Sequence, residues 1–165
     1  MESTDRFSLP LLVAGQAQKE LFHNEALLTL DTLVAGAVEE PPRNDPPDPP
    51  LVGTCYLVGS APTAAWDQHA DHLAAFTTGG WRFIQPVVGM SVLVKSEGIL
   101  ASFGSNGWEA GIIRGERMLV DGVQVVGAQG AAVPDPTGGI TIDDEARAAI
   151  AQLLAVLRQH GLIST

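Results

Sequence analysis

Six of the twelve residues in Glu39–Pro50, EEPPRNDPPDPP, are proline, and no other stretch limits the fold so strongly. Each proline holds φ at about −65° and removes a backbone N–H, so neither a helix nor an interior strand runs through such a segment. The segment is expected to be an extended, semi-rigid spacer. It either wraps the surface of the following domain or lets the preceding residues pack on a neighbouring subunit. The chain then reads as four parts: a helical segment 1–38, the spacer 39–50, a β-rich domain 51–136 and a C-terminal helix in 137–165.

Ahead of the spacer, Leu9–Val34 (LPLLVAGQAQKELFHNEALLTLDTLV) reads as one amphipathic helix. At 100° per residue, Phe22, Ala26, Leu27, Leu30, Leu33, Val34 and Ala37 form a single apolar arc. Glu20, Asn24 and Asp31 fall near the opposite side, which makes the arc the expected core-facing stripe and the far side its solvated back. Leu21 and Leu28, one heptad apart, land among the polar residues. They are either tolerated exposed leucines or a second contact with another subunit or partner. Gly15, Gln16 and Gln18 stand at the helix entry, where the amides can satisfy free backbone groups or reach a neighbouring chain. His23 falls inside the apolar arc and is read as a packed or interfacial histidine.

Past the spacer the signals are those of short strands. Thr54–Val58 lies between Gly53 and Gly59. Leu73–Thr77 and Trp81–Ile84 flank Gly79-Gly80 as a hairpin, and Met90–Lys95 with Ile99–Phe103 make a second around Ser96-Glu97-Gly98. Gly104-Ser-Asn-Gly107 turns into Trp108. Asp121-Gly122, between Met118–Val120 and Val123–Val126, is the strongest type I′ hairpin signal in the chain. A short helical turn fits between Ala64 and His72. Many short strands with glycine turns predict a small antiparallel domain, open sheet or barrel-like. With a helix on either side in sequence, the fold class is α+β.

Ile140–Ile163 reads as the second helix. Thr141 or Asp143 is the candidate N-cap, Asp144 and Glu145 complement the helix dipole, Arg158 and His160 sit in the last turn, and Gly161 suits the C′ position. One face collects Ile142, Ala146, Ala149, Ile150, Leu153, Leu154, Val156 and Leu157. Ala146, Ile150, Leu153 and Leu157 follow the 4-3-4 spacing of a short coiled coil. Two heptads are too few to hold an oligomer alone. The face packs either on the chain's own sheet or on another copy, which makes Ile150, Leu153 and Leu157, with Leu21 and Leu28, the candidate oligomer or partner contacts.

Charge narrows the partners. The formal net charge is −10, with three basic and nine acidic residues up to Pro50 and six and ten after it. Nowhere do Lys and Arg cluster, which argues against nucleic acid and anionic lipid as partners. Neutral or weakly charged sugars stay open. A composition 45% hydrophobic supports a core, and no apolar run approaches the roughly 18 residues of a membrane span. The acidic start, Met-Glu-Ser-Thr-Asp, is unlike a secretory signal. The single cysteine, Cys55, suits synthesis in a reducing cytoplasm.

Catalytic patterns are sparse, and the chain is expected to be no enzyme. Asp67-Gln-His69-Ala-Asp71-His72 lacks the partners of a metal site and reads as a solvated turn. Ser60, Ser102 and Ser105 stand in no nucleophile elbow, and Gly104-x-x-Gly107 lacks the residues of a phosphate loop. Glu97 and Glu109 form a glycosidase pair only at a separation the sequence does not fix. No catalytic residue, metal or cofactor is expected. Trp66, Trp81 and Trp108 border turns, where indoles either stack on sugar rings or close a small β-core. They are the candidate carbohydrate-binding residues.

The LPLLVAGQAQKE/HNEALLTLDTLV segment closely resembles the opening of a family of unknown function found in tailed-phage and gene-transfer-agent genomes. The family occurs in tail-fibre-like and head-spike proteins, mostly of alphaproteobacteria. GTCYLVGSAPTAAW (Gly53–Trp66) and GGWRFIQPVVGMSVLV (Gly79–Val94) fit it as well, and Ile140–Ile163 is similar to the closing segment of related fibre and spike proteins. The resemblance implies a structural virion component, a spike or fibre subunit made in the bacterial cytoplasm and carried on a phage-like particle. Its implied partners are further copies of itself, in a trimer or pentamer, other virion proteins and host capsular polysaccharide. A stand-alone carbohydrate-binding module is the alternative, and a polysaccharide-degrading enzyme a weaker one. The resemblance brings no catalytic residues.

Overall fold

The computed structural model describes residues 2–13, 19–138, 140 and 143–164. Gly15, Gln16, Gln18, Thr141 and Ile142, singled out above, lie outside the described residues. The chain divides into two compact units, Met1–Ile112 and Ile113–Thr165. Their boundary falls within the stretch read as one β-rich domain, so the hairpin at Asp121-Gly122 groups with the C-terminal helix.

The first unit is built from two small open sheets. One has the order β1-β5-β6-β7, with β1 Ala37–Val38, β5 Ser91–Val94, β6 Ile99–Gly104 and β7 Gly107–Ala110. The other has the order β2-β3-β4, from β2 Cys55–Leu57, β3 Leu73–Thr77 and β4 Gly80–Ile84. All pairings in the two sheets are antiparallel except β1 with β5. Neither sheet closes into a barrel, and the α+β class stands.

Period-two patterning explains how the sheets meet. Cys55, Leu57, Leu73 and Ala75 from one sheet pack with Val38, Val92, Val94 and Ala101 from the other, joined at the margins by Leu33, Ile84, Ile99 and Trp108. Burying each large aliphatic side chain here stabilises the fold by roughly 1.5–3 kcal/mol. The opposite face of β2-β3-β4 carries Tyr56, Val58 and Ala74, closed by Trp66 with Trp81 and Phe83 at the edge. Trp66 ends the 3-10 turn Ala64–Trp66. The three-stranded sheet is thus covered on both faces.

The N-terminal segment departs from the single expected helix. Helix α1 spans Lys19–Leu33. Leu9–Val13 are not helical, and residues 2–12 form an arm folded back on itself through Thr4 N–Leu9 O and Leu11 N–Glu2 O bonds, each 2.9 Å. Asn24 locks the arm to α1 by accepting from Leu12 N at 2.9 Å and donating to Leu12 O at 3.0 Å. Ala37–Val38, placed above in the helical segment, is strand β1.

Helix α1 is also turned over relative to its expected orientation. Phe22 is 76% exposed, and Ala26, Leu30 and Val34 of the same stripe face solvent. Asp31, assigned to the solvated back, is buried. It accepts from Thr4 Oγ1 at 2.6 Å, Arg6 N at 2.9 Å and Phe7 N at 2.8 Å. Arg6 Nη1 donates to the Asp31 and Thr32 carbonyls at 3.0 and 2.7 Å, satisfying acceptors that the helix end leaves open. The arm thus supplies donors to the polar side of α1, and a buried carboxylate with three donors is a stable arrangement.

The proline-rich segment is pinned rather than suspended. Glu39 N donates to Cys55 O at 2.9 Å, Arg43 N to Leu57 O at 3.1 Å, and Gly59 N to Arg43 O at 2.7 Å. Arg43 is held by Glu40 at 2.6 Å and Asp45 at 2.7 Å, which raises its pKa and lowers that of Asp45. Of the two roles open to it, the segment takes the first and wraps the sheet domain as a strap beside β2.

The second unit contains strands β8 Met118–Val120 and β9 Val123–Val126 and helix α2 Asp144–Gln159. Asp121 (φ 49°) and Gly122 (φ 78°) form the turn, both in the left-handed region that a type I′ hairpin requires. Asp143 caps α2 through a 2.8 Å bond accepted from Ala146 N. Gly161 (φ 69°) ends it, with Gly161 N–Arg158 O and Leu162 N–Leu157 O bonds of 3.0 Å in the Schellman pattern.

Candidate functional site

Strand β4 is an edge strand, and α1 crosses beside it. Between them lies a groove of about 210 Å³ lined by Glu25, Leu28, Thr29, Thr32, Trp81, Arg82, Phe83 and Ile84. Alternation along β4 places Trp81 and Phe83 against Trp66, while Arg82 turns towards α1 and pairs with Glu25. The Trp81 ring meets Trp66 edge-on at 5.1 Å and Phe76 at 4.9 Å, which fixes its plane. Arg82 Nε is buried with no hydrogen-bond partner.

The polar groups of this groove are suited to binding. Thr29 Oγ1 donates to Glu25 O at 2.9 Å and Thr32 Oγ1 to Leu28 O at 3.0 Å, so both hydroxyls keep acceptor lone pairs for an incoming hydroxyl. Arg82 and Glu25 neutralise each other. The groove thus offers a fixed ion pair and two hydroxyls that keep acceptor lone pairs, with its opposite charges neutralising each other.

The structure separates the three tryptophans. Trp66 is 0% exposed, so it presents no ring face to a ligand and serves the core instead. Its burial follows from the strap and loop, which bring the 3-10 turn down onto Tyr56 and Ala74. Trp108 is half-buried, packs on Phe103 at 5.3 Å and donates from Nε1 to Asp71 O at 2.7 Å. Trp81 alone of the three lines the groove.

Leu21 and Leu28 do not form one patch. Leu21 is 58% exposed, whereas Leu28 is half-buried and faces the sheet beside Asp31, Cys55 and Ala75. The a and d residues of α2 point outward: Leu153 is 65% exposed, and Ile150 and Leu157 are exposed with it. Leu154 is the buried hydrophobic of that helix.

The remaining polar candidates have structural surroundings. His69 stacks on Phe83 with ring centres 3.7 Å apart, and His72 meets His69 edge-on. Among the described residues no group of three or more His, Cys, Asp or Glu side chains is placed to hold a metal ion. Glu97 lies in the β5–β6 turn and Glu109 on β7, opposite Ser102. His23 is exposed on α1. Burial pushes the Cys55 thiol pKa up from its ordinary value of 9.0, so the side chain stays a neutral thiol. Among the described residues no helix is long and apolar enough to cross a membrane.

Sequence reasoning missed the Glu25–Arg82 pair, which spans 57 positions and follows only from how α1 crosses β4. It missed the Thr4–Arg6–Asp31 clasp for a related reason: an aspartate on a helix back signals solvent unless a distant donor is known. No curated protein matches the chain. Residues 23–109, from α1 through most of β7, match DUF2793, a protein family of unknown function. They make up more than half of the sequence, and the chain belongs to that family.

Proposed function

We propose that this protein is a structural subunit of a phage-like or gene-transfer-agent particle, a spike or fibre component that self-associates and presents its two-sheet unit to cell-surface polysaccharide. One observation carries the reading. The two-sheet unit has a closed core, yet Phe22, Leu30 and Val34 on α1 and Ile150, Leu153 and Val156 on α2 all stand exposed. Exposed apolar side chains of this extent on two helices favour protein–protein contact. The likeness of the α1 segment to fibre and spike proteins supplies the particle context. The subunit is made in the bacterial cytoplasm and works on the virion, without catalysis.

The β4–α1 groove adds the recognition element, with Thr29, Thr32 and Arg82 as polar contacts and half-buried Trp81 at its rim. It also supports a second reading, a stand-alone carbohydrate-binding module. Native mass spectrometry with glycan-array binding separates the two. A subunit gives masses in multiples of 17.3 kDa and is found in purified particles by peptide mapping. A glycan-binding monomer absent from particles establishes the module instead. A monomer that binds no glycan and occurs in no particle overturns both.

A further inference from the structure

We infer that the β4–α1 groove selects N-acetylated sugars and takes their acetamido group as a bridge between its two walls. The inference rests on the glycan-binding role proposed above and names the class of sugar. The β4 wall is lined by the four consecutive residues Trp81, Arg82, Phe83 and Ile84. A strand face shows every second residue, so an unbroken run marks the free edge of the strand. Hydrogen-bond parity tells which groups stand there. Phe76 N donates to Thr54 O at 2.9 Å and Gly53 N to Phe76 O at 2.8 Å, so Phe76 spends its main chain on the β2 side of β3. Leu73, Ala75 and Thr77 then bond to their partners Ile84, Arg82 and Gly80. Trp81 and Phe83 are left with N–H and C=O turned outward, and among the described residues no backbone group meets them.

The α1 wall has the opposite character. Thr29 and Thr32, one helical turn apart, have already given their hydroxyl protons to Glu25 O and Leu28 O, so towards the groove they only accept. Leu28 and Ile84 add apolar surface. Glu25 and Arg82 hold each other, which favours a ligand without charge. A secondary amide is trans, with its C=O and N–H pointing in opposite directions. In the groove the acetamido C=O accepts from an N–H of the β4 edge, its N–H donates to a threonine hydroxyl across the gap, and its methyl lies on Leu28 and Ile84. A plain hexose brings hydroxyls but no methyl. The de-N-acetylated sugar loses the acceptor and sets an ammonium beside Arg82.

Titration calorimetry and a glycan array on the full chain test this. The probes are oligomers of N-acetylglucosamine and N-acetylgalactosamine, each beside its plain hexose and its de-N-acetylated counterpart. The better N-acetylated oligomer binds about tenfold or more tightly than both of its counterparts. Thr29→Val with Thr32→Val keeps the shape of both side chains, removes the acceptors and lowers that affinity about tenfold. The comparison of ligands uses the unaltered protein, so it stays decisive where the double variant unfolds. Plain and N-acetylated glycans bound equally, or the plain form bound better, overturn the inference and leave the glycan-binding role standing. A preference that the threonine variant keeps in full overturns its assignment to this groove. A chain that binds no glycan on the array overturns both the inference and the role beneath it.

Discussion

Thr4 Oγ1 donates to Asp31 Oδ1 at 2.6 Å, and both residues are buried. This bond anchors the N-terminal arm on α1, with the Arg6 and Phe7 amides on the same carboxylate. Asp31→Ala strands a hydroxyl and two N–H groups, so it lowers unfolding free energy by about 2–4 kcal/mol. Urea titration followed by tryptophan emission measures this. A loss under about 0.5 kcal/mol would show that the clasp is not holding the arm.

The tryptophans separate stability from binding. Trp66→Ala removes a fully buried ring and destabilises by about 3–5 kcal/mol. On the proposed glycan-binding role, Trp81→Ala reduces glycan binding at least tenfold with a smaller loss of stability than Trp66→Ala. Trp108→Phe keeps the packing but loses the bond to Asp71 O, at about 1 kcal/mol. Paired denaturation and glycan-binding curves for the three variants give the comparison. Equal glycan affinity for Trp81→Ala and the parent removes Trp81 from the recognition surface.

Cys55 gives a pH dependence of defined sign. Its folded-state pKa lies above the ordinary 9.0 because burial disfavours the thiolate. The unfolded chain therefore loses this proton first as pH rises. The contribution is complete below pH 9 and declines above it, through the folded-state value. Cys55→Ala flattens that alkaline decline in a melting-temperature series. In the native protein at neutral pH the thiol reacts with iodoacetamide at the rate of global opening, which mass spectrometry follows.

Gly59 marks the place where the strap meets β2. A Cβ there would collide with Asn44 Oδ1, the atom that accepts from Ala61 N at 3.1 Å. Gly59→Ala displaces the Asn44 side chain and loosens the strap, lowering stability by about 1–3 kcal/mol. Limited proteolysis then cuts in 39–50 first. A variant as resistant as the parent would mean that Asn44 moves without loss.

Strand positions were legible because turn chemistry is local. Glycine at Gly79-Gly80 and Asp121-Gly122 bracketed β3–β4 and β8–β9 to within a residue. The caps of α2 were equally plain, since Asp143 and Gly161 act within one turn of the helix. The orientation of α1 was not legible. Its periodicity was correct, but periodicity identifies a stripe and not the neighbour that covers it. The arm's donors pulled Asp31 and Asn24 inward, and they come from residues 2–12. For the same reason Trp81 could be named from its turn, while its groove partners Glu25 and Thr29 could not.

The parallel pairing of β1 with β5 has a mechanical consequence. β1 and β7 occupy opposite edges of their sheet, and two antiparallel steps from β5 make β7 run in the same direction as β1. The chain therefore enters at one end of the strands and leaves at the other. Tension between the segment before β1 and the segment after β7 runs along the strands, across ladders whose bonds lie transverse to it. The bonds are loaded together in shear instead of being peeled one at a time, a geometry that resists pulling between two anchored ends.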